Sequence, residues 1–183
     1  MYSHGVAERA QSALLRPFAN VERGGPGRMS AFLGTHTNKL DAKGRVSIPA
    51  PYRAALRPTP EGAPLVLRPS HKNPCIEGWP AAAFQALAAP LNELDMFGDD
   101  HDDLAAALYS GAHHSEPDKE GRIVLPADLI DCANLSDSVV FIGMGKIFHI
   151  WEPAAGAKFL AESKERARAA RLTLPGAANG ARA

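Results

Sequence analysis

The chemistry-bearing residues of this chain fall into a pattern that occurs twice. Asp41, Gly44, Arg45, Pro49 and Ala50 stand in the spacing D-x-x-G-R-x-x-x-P-A, and Asp118, Gly121, Arg122, Pro126 and Ala127 repeat it at an offset of 77. His36 and His113 are separated by the same interval. In each copy the glycine stands where a tight reversal needs a positive φ, which a residue without Cβ adopts at no steric cost. The aspartate can bond its own turn or pair with the arginine four residues on. A single copy would describe ordinary turn chemistry. Two copies in register describe a paired, symmetry-related feature.

Around the first copy Lys39, Lys43 and Arg45 gather with only Asp41 to oppose them. Around the second, Arg122 and Lys119 are diluted by Glu116, Asp118 and Glu120. Arginine forks onto phosphates or guanine edges, and lysine supplies a point charge to phosphate. Two hairpins can present such groups to a groove. The partner this chemistry points to is double-stranded DNA, with Lys43 and Arg45 weighted above Arg122, because the acids of the second loop repel phosphate. That loop is expected to help hold the barrel or an interface.

The total charge argues the other way: 20 basic and 20 acidic residues cancel, whereas phosphate neutralisation needs clustered cations. Divided along the chain the balance disappears. Residues 1–28 carry +2, 29–57 carry +4, 92–120 carry −8 and 158–183 carry +4. The basic first copy is therefore followed by an acidic connector and a basic end.

Other groupings lead nowhere comparable. His101-Asp102-Asp103 and His113-His114 lack the spacing of a zinc or manganese site, and Cys75 and Cys132 form no CxxC. No metal and no cofactor is expected. His36, Asp41 and Ser47 have no nucleophile elbow around them, so no catalytic residue is assigned and the chain is read as no enzyme, with no small-molecule substrate. Gly143-Met144-Gly145-Lys146 lies between two apolar runs and reads as a hairpin turn, not a phosphate loop. No stretch approaches the ~18 apolar residues a spanning helix needs, which excludes the membrane as a partner.

The elements that must position the doubled motif can be read from the same sequence. Ala31–Leu40 favours a strand, Asp41–Gly44 a turn and Arg45–Pro49 a second strand. A short helix then runs to Leu56, and strands follow around Leu65–Leu67 and Cys75–Glu77. The second copy repeats the order, with Val139–Ile142 as its apolar strand, and Pro80 and Pro153 each open a helix. Trp79 and Trp151 are expected as packing anchors. Each copy is too small to build a core alone, so both should share one sheet or barrel. The expected division is a disordered extension or start-site artefact over 1–28, a first repeat over 31–80, a helical connector over 81–110, a second repeat over 111–153, a helix over 154–171 and a disordered tail over 172–183.

The run from Gly34 through His36-Thr-Asn-Lys-Leu-Asp-Ala-Lys-Gly-Arg-Val-Ser-Ile-Pro49, the run Asp118-Lys-Glu-Gly-Arg-Ile-Val-Leu-Pro126, and Gly143 to Trp151 together resemble the MraZ family of bacterial transcriptional regulators. The resemblance covers roughly Ala31 to the helix after Pro153. It implies a mostly β, α+β fold of two AbrB-like swapped-hairpin repeats in one pseudo-twofold, barrel-like unit. It also implies self-association into a ring, octamer-like, in the cytoplasm and on the nucleoid. A protein of this family would act as a repressor, binding repeated promoter sites of the division and cell-wall gene cluster. The family's DNA-contacting positions fall on Lys43 and Arg45, with Arg122 their counterpart.

Overall fold

The computed structural model describes residues 31–56, 64–96 and 98–172. The expected extension over 1–28 lies outside these residues, as does the expected tail apart from Leu172. In the first half, β1 (Thr35–Lys39) and β2 (Arg45–Ser47) flank the first turn. There follow α1 (Ala50–Ala55), β3 (Leu65–Pro69), β4 (Ile76–Pro80), α2 (Ala81–Ala88), a 3-10 turn (Ala89–Glu93) and α3 (Asp99–Tyr109). The second half repeats the plan as β5 (His113–Ser115), β6 (Arg122–Val124), α4 (Ala127–Cys132), β7 (Ser138–Gly143), β8 (Phe148–Trp151) and α5 (Pro153–Ala169).

Prolines punctuate the helices as their fixed φ requires. Pro49, Pro80 and Pro126 stand at the N-caps of α1, α2 and α4, where the missing N–H removes nothing the helix would have used. Pro153 opens α5, and the Glu152 carboxylate caps that helix by accepting from the Ala155 N–H at 2.7 Å. Pro90 ends the regular part of α2 by forcing the chain into the 3-10 turn.

The hairpins are exchanged between the halves. One sheet of six strands runs β1-β7-β8-β4-β3-β5, so β1 of the first half pairs with β7 of the second, and β5 pairs with β3. The two remaining strands, β2 and β6, pair only with each other as an antiparallel ribbon. The registers carry a pseudo-twofold. His36 stands opposite Phe141 as His113 stands opposite Leu67, and the axis passes through the pairs Val46↔Ile123 and Glu77↔His149.

Between ribbon and sheet lies one core to which both halves contribute. Val46, Ile48, Ile123 and Leu125 come from the ribbon and the chain just beyond it, Tyr52 and Leu129 from the short helices, and Leu67, Phe141, Phe148 and Ile150 from the sheet. Neither half could bury this surface alone, which is the physical reason for a shared fold. The sheet's other face is covered in two places. Phe84 of α2 and Leu108 of α3 pack with Val66 and Trp79, and Phe159 and Leu160 of α5 pack on Val140, Ile142 and Trp151. Among the described residues no helix is long and apolar enough to cross a membrane.

Candidate nucleic-acid interface

The two D-x-x-G-R turns are built alike, atom for atom. Asp41 Oδ1 accepts from the backbone N–H groups of Lys43 and Arg45, both at 2.9 Å, while its Oδ2 accepts from Arg45 Nε at 2.7 Å. Asp118 Oδ1 accepts from Glu120 N at 3.0 Å and Arg122 N at 2.8 Å, and its Oδ2 from Arg122 Nε at 2.9 Å. Each aspartate is held below the usual carboxylate range, first of all by the backbone N–H of its arginine, which donates only to the charged form with full strength. Gly44 and Gly121 close the turns at φ +72° and +77°, and each donates its N–H to the aspartate carbonyl.

The ribbon locks the turns together at opposite ends. Ile48 N donates to Gly121 O at 2.9 Å, and Leu125 N donates to Gly44 O at 2.8 Å. Each turn also rests on the short helix of the other half. A Cβ on Gly44 would come within 2.9 Å of the Leu125 carbonyl and 3.3 Å of the Ile130 side chain, while one on Gly121 would meet the side chain of Arg53.

Strand alternation decides what faces outward. Val46 and Ile123 point into the core, so Arg45, Ser47, Arg122 and Val124 form the ribbon's outer face, where Arg45 stands opposite Val124 and Ser47 opposite Arg122. The structure therefore brings Arg45 and Arg122 onto one surface, with Lys43 exposed in the first turn. Lys39 is exposed at the end of the neighbouring β1, whose Asn38 donates to the Ser47 carbonyl at 2.6 Å. The two arginines differ in what they have left to offer. Arg45 commits Nε to Asp41, whereas Arg122 commits both Nε and Nη2, the latter to Asp118 at 2.9 Å and Glu120 at 3.1 Å. Asp118 accordingly raises the Arg122 pKa, first through their hydrogen bond. Among the described residues neither Lys39 nor Lys43 enters an ion pair.

The residues set aside for metal chemistry do not converge. His113 Nε2 lies 2.8 Å from Asp128, which lowers the Asp128 pKa, and His101 lies 3.4 Å from Asp102. Among the described residues no three histidine, cysteine or carboxylate side chains gather around a common point. Arg53 was missed in the sequence. The signal was a break in the repeat, since Arg53 stands where the second copy has Ile130.

Two hairpin repeats exchanged about a pseudo-twofold, with matched Asp–Arg turns at the two ends of a central ribbon, define a class of double-repeat proteins. A family model described as "MraZ protein, putative antitoxin-like" matches residues 31–105 and again 108–175, once for each half, and the chain belongs to this MraZ family. A "Transcriptional regulator MraZ" of Gluconacetobacter diazotrophicus is 58% identical over 149 residues, covering 80% of this chain and 93% of the relative. That of Gluconobacter oxydans is 56% identical over 142 residues, 76% of this chain and 87% of the relative. That of Azorhizobium caulinodans is 38% identical over 147 residues, 80% of this chain and 92% of the relative.

Proposed function

We propose that this chain is a non-enzymatic, sequence-specific DNA-binding transcriptional regulator of the bacterial cytoplasm and nucleoid, which represses a division and cell-wall gene cluster. Its first turn, with Lys39, Lys43 and Arg45, is the principal DNA contact, and Arg122 is the weaker second one. Asp41, Gly44, Asp118 and Gly121 hold the turns. The observation that carries this reading is the outer face of the ribbon, which offers an arginine whose terminal nitrogens are uncommitted among the described residues, beside exposed lysines that enter no ion pair among those residues. The names of the relatives, all transcriptional regulators, support it.

One ribbon is short and reaches few base edges. Affinity then comes from several copies of a ring, octamer-like, engaging tandem promoter repeats at once. A gel shift on the DNA upstream of this gene, beside a scrambled duplex and at two salt concentrations, tests the reading. Specific retention that weakens steeply with salt is expected, with a large loss in Lys43→Ala and Arg45→Ala while the oligomer stays intact. Equal retention of the scrambled duplex, or wild-type affinity in both variants, would overturn it.

A further inference from the structure

The two halves supply the ribbon with unequal charge. Aligned by the repeat, Lys39 corresponds to Glu116 and Lys43 to Glu120, so the second turn has acids where the first has lysines. Its one outward arginine is closed off by Asp118 and Glu120. Lys119, exposed at the place of Ala42, offsets only one of the acids Glu116, Asp118 and Glu120, so a second turn of this kind would still repel a duplex lying along the ribbon. The structure places another cation there. Arg53, on α1 of the first half, is exposed, and its side chain lies directly against Gly121: a Cβ on that glycine would run into Arg53 Cδ and come within 2.8 Å of its Nε.

The guanidinium is held in place from below. Arg53 Nη1 donates to the Ile48 carbonyl at 2.8 Å, and the Ile48 N–H in turn donates to Gly121 O at 2.9 Å. The side chain is thus pinned to the seam between the end of β2 and the turn before β6. A guanidinium carries five N–H donors in a planar fork, and fixing one edge on a carbonyl leaves the other to meet a phosphate with less ordering than a free side chain needs. At the first turn the equivalent position holds Ile130, an apolar side chain resting against Gly44, where Lys43 already provides the charge. The halves have exchanged roles: lysine in the turn over isoleucine, or glutamate in the turn over arginine.

We infer that Arg53 is a further DNA-contacting residue, a backbone-phosphate contact by which the first half's helix adds a cation to the second end of the ribbon, where Glu116, Asp118 and Glu120 outnumber Lys119 and Arg122. This rests on the DNA reading above. The contact is to phosphate, not to bases, so it serves specific and random duplexes alike.

Fluorescence anisotropy of a labelled random-sequence duplex, titrated with the full chain at several salt concentrations, tests it. The dependence of log K on log salt counts phosphates neutralised, which a purely structural strut does not change. Arg53→Gln, which keeps a donor for the Ile48 carbonyl, is expected to flatten that slope by about one for each copy touching the duplex. Arg53→Lys should retain the wild-type slope, and adding Glu120→Lys to Arg53→Gln should restore it at the same end of the ribbon. An unchanged slope in Arg53→Gln, even with weaker binding or a lower melting temperature, would overturn the inference and assign Arg53 to support of the turn. If Lys43→Ala flattens the slope while Arg53→Gln does not, this inference fails and the DNA reading stands. A wild-type chain that shows no salt-dependent binding removes both.

Discussion

At Gly44 and at Gly121 the backbone has almost the same φ, the same N–H donated to an aspartate carbonyl and the same carbonyl accepting from the other half of the ribbon. What surrounds the two glycines differs. Over Gly44 the nearest atom to an added Cβ is the Leu125 carbonyl, which is fixed by its neighbours in the chain. Over Gly121 it is the aliphatic stem of Arg53, the flexible part of an exposed side chain. The repeat therefore copies the backbone and leaves its surroundings to diverge: one turn is basic and backed by a backbone carbonyl and an isoleucine, the other acidic and backed by a cation.

Alanine at these two positions tests that difference most strongly. Both variants force a residue with a Cβ into left-handed backbone, at about 1–2 kcal/mol. Gly44→Ala adds a clash with backbone that cannot turn aside, for a total of about 2–5 kcal/mol, while Gly121→Ala can displace Arg53, giving up its hydrogen bond to the Ile48 carbonyl, and stay at about 1.5–3.5 kcal/mol. Chemical denaturation of the two variants beside wild type measures the gap. Equal losses would mean that the second turn is as tightly enclosed as the first.

The same divergence recurs at the other end of the axis. Glu77 and His149 face one another across β4 and β8, and Trp79 and Trp151 occupy equivalent places on these strands. Trp79 Nε1 donates to Glu77 Oε2 at 3.0 Å, and Arg68 Nε lies 3.7 Å from that same oxygen. In the second half the place of Arg68 is taken by Ile142, and neither His149 Nδ1 nor Trp151 Nε1 has a partner among the described residues. Trp79→Phe and Trp151→Phe remove similar ring area, so their difference isolates the hydrogen bond. Trp79→Phe strips a buried carboxylate of its donor and should be the more destabilising by about 1–3 kcal/mol. If thermal denaturation ranks the pair the other way, the first half's polar cluster contributes nothing to stability.

Much of this was open to a reader of the sequence because the features concerned are local. The Asp–Gly–Arg turns, the proline-started helices and the doubling itself depend on residues within a few positions of each other, and the structure has them where the spacing puts them. A shared core also followed from the size of each half. The pairing of β1 with β7 and of β5 with β3 has no local signature; here it entered through the likeness to a known family. The role of Arg53 was illegible for a related reason. It lies against a turn 68 residues away, and the break in the repeat, Arg53 where the second copy has Ile130, marks the position but not the contact. The double hydrogen bonding that closes off Arg122 likewise needed the turn's geometry, since Glu120 is two residues away and reaches it only because the chain reverses.

His149 allows the smallest of these contrasts to be read from pH. It is buried on the sheet face covered by α5, its ring 6.2 Å from those of both Trp151 and Phe159, and Glu77 and Arg68 are the charged groups in its row of the sheet. Burial lowers its pKa from 6.5, and the nearby Glu77 carboxylate offsets this only in part. A group that is harder to protonate in the fold than in the unfolded chain adds stability while it is neutral. That stability is fully present above the unfolded value of 6.5 and is lost as pH falls below it toward the folded value. The aspartates of the two turns, whose folded values are also lowered, begin to lose theirs only near 3.8, so the histidine effect sets in first as the solution is acidified. Wild type should therefore lose stability as pH falls below about 6.5, and His149→Gln should show a flatter profile over that interval. Parallel profiles for the two proteins across that interval would show that the second half tolerates a charged histidine as readily as the first half holds Glu77, and the asymmetry at this end of the axis would then be one of shape alone.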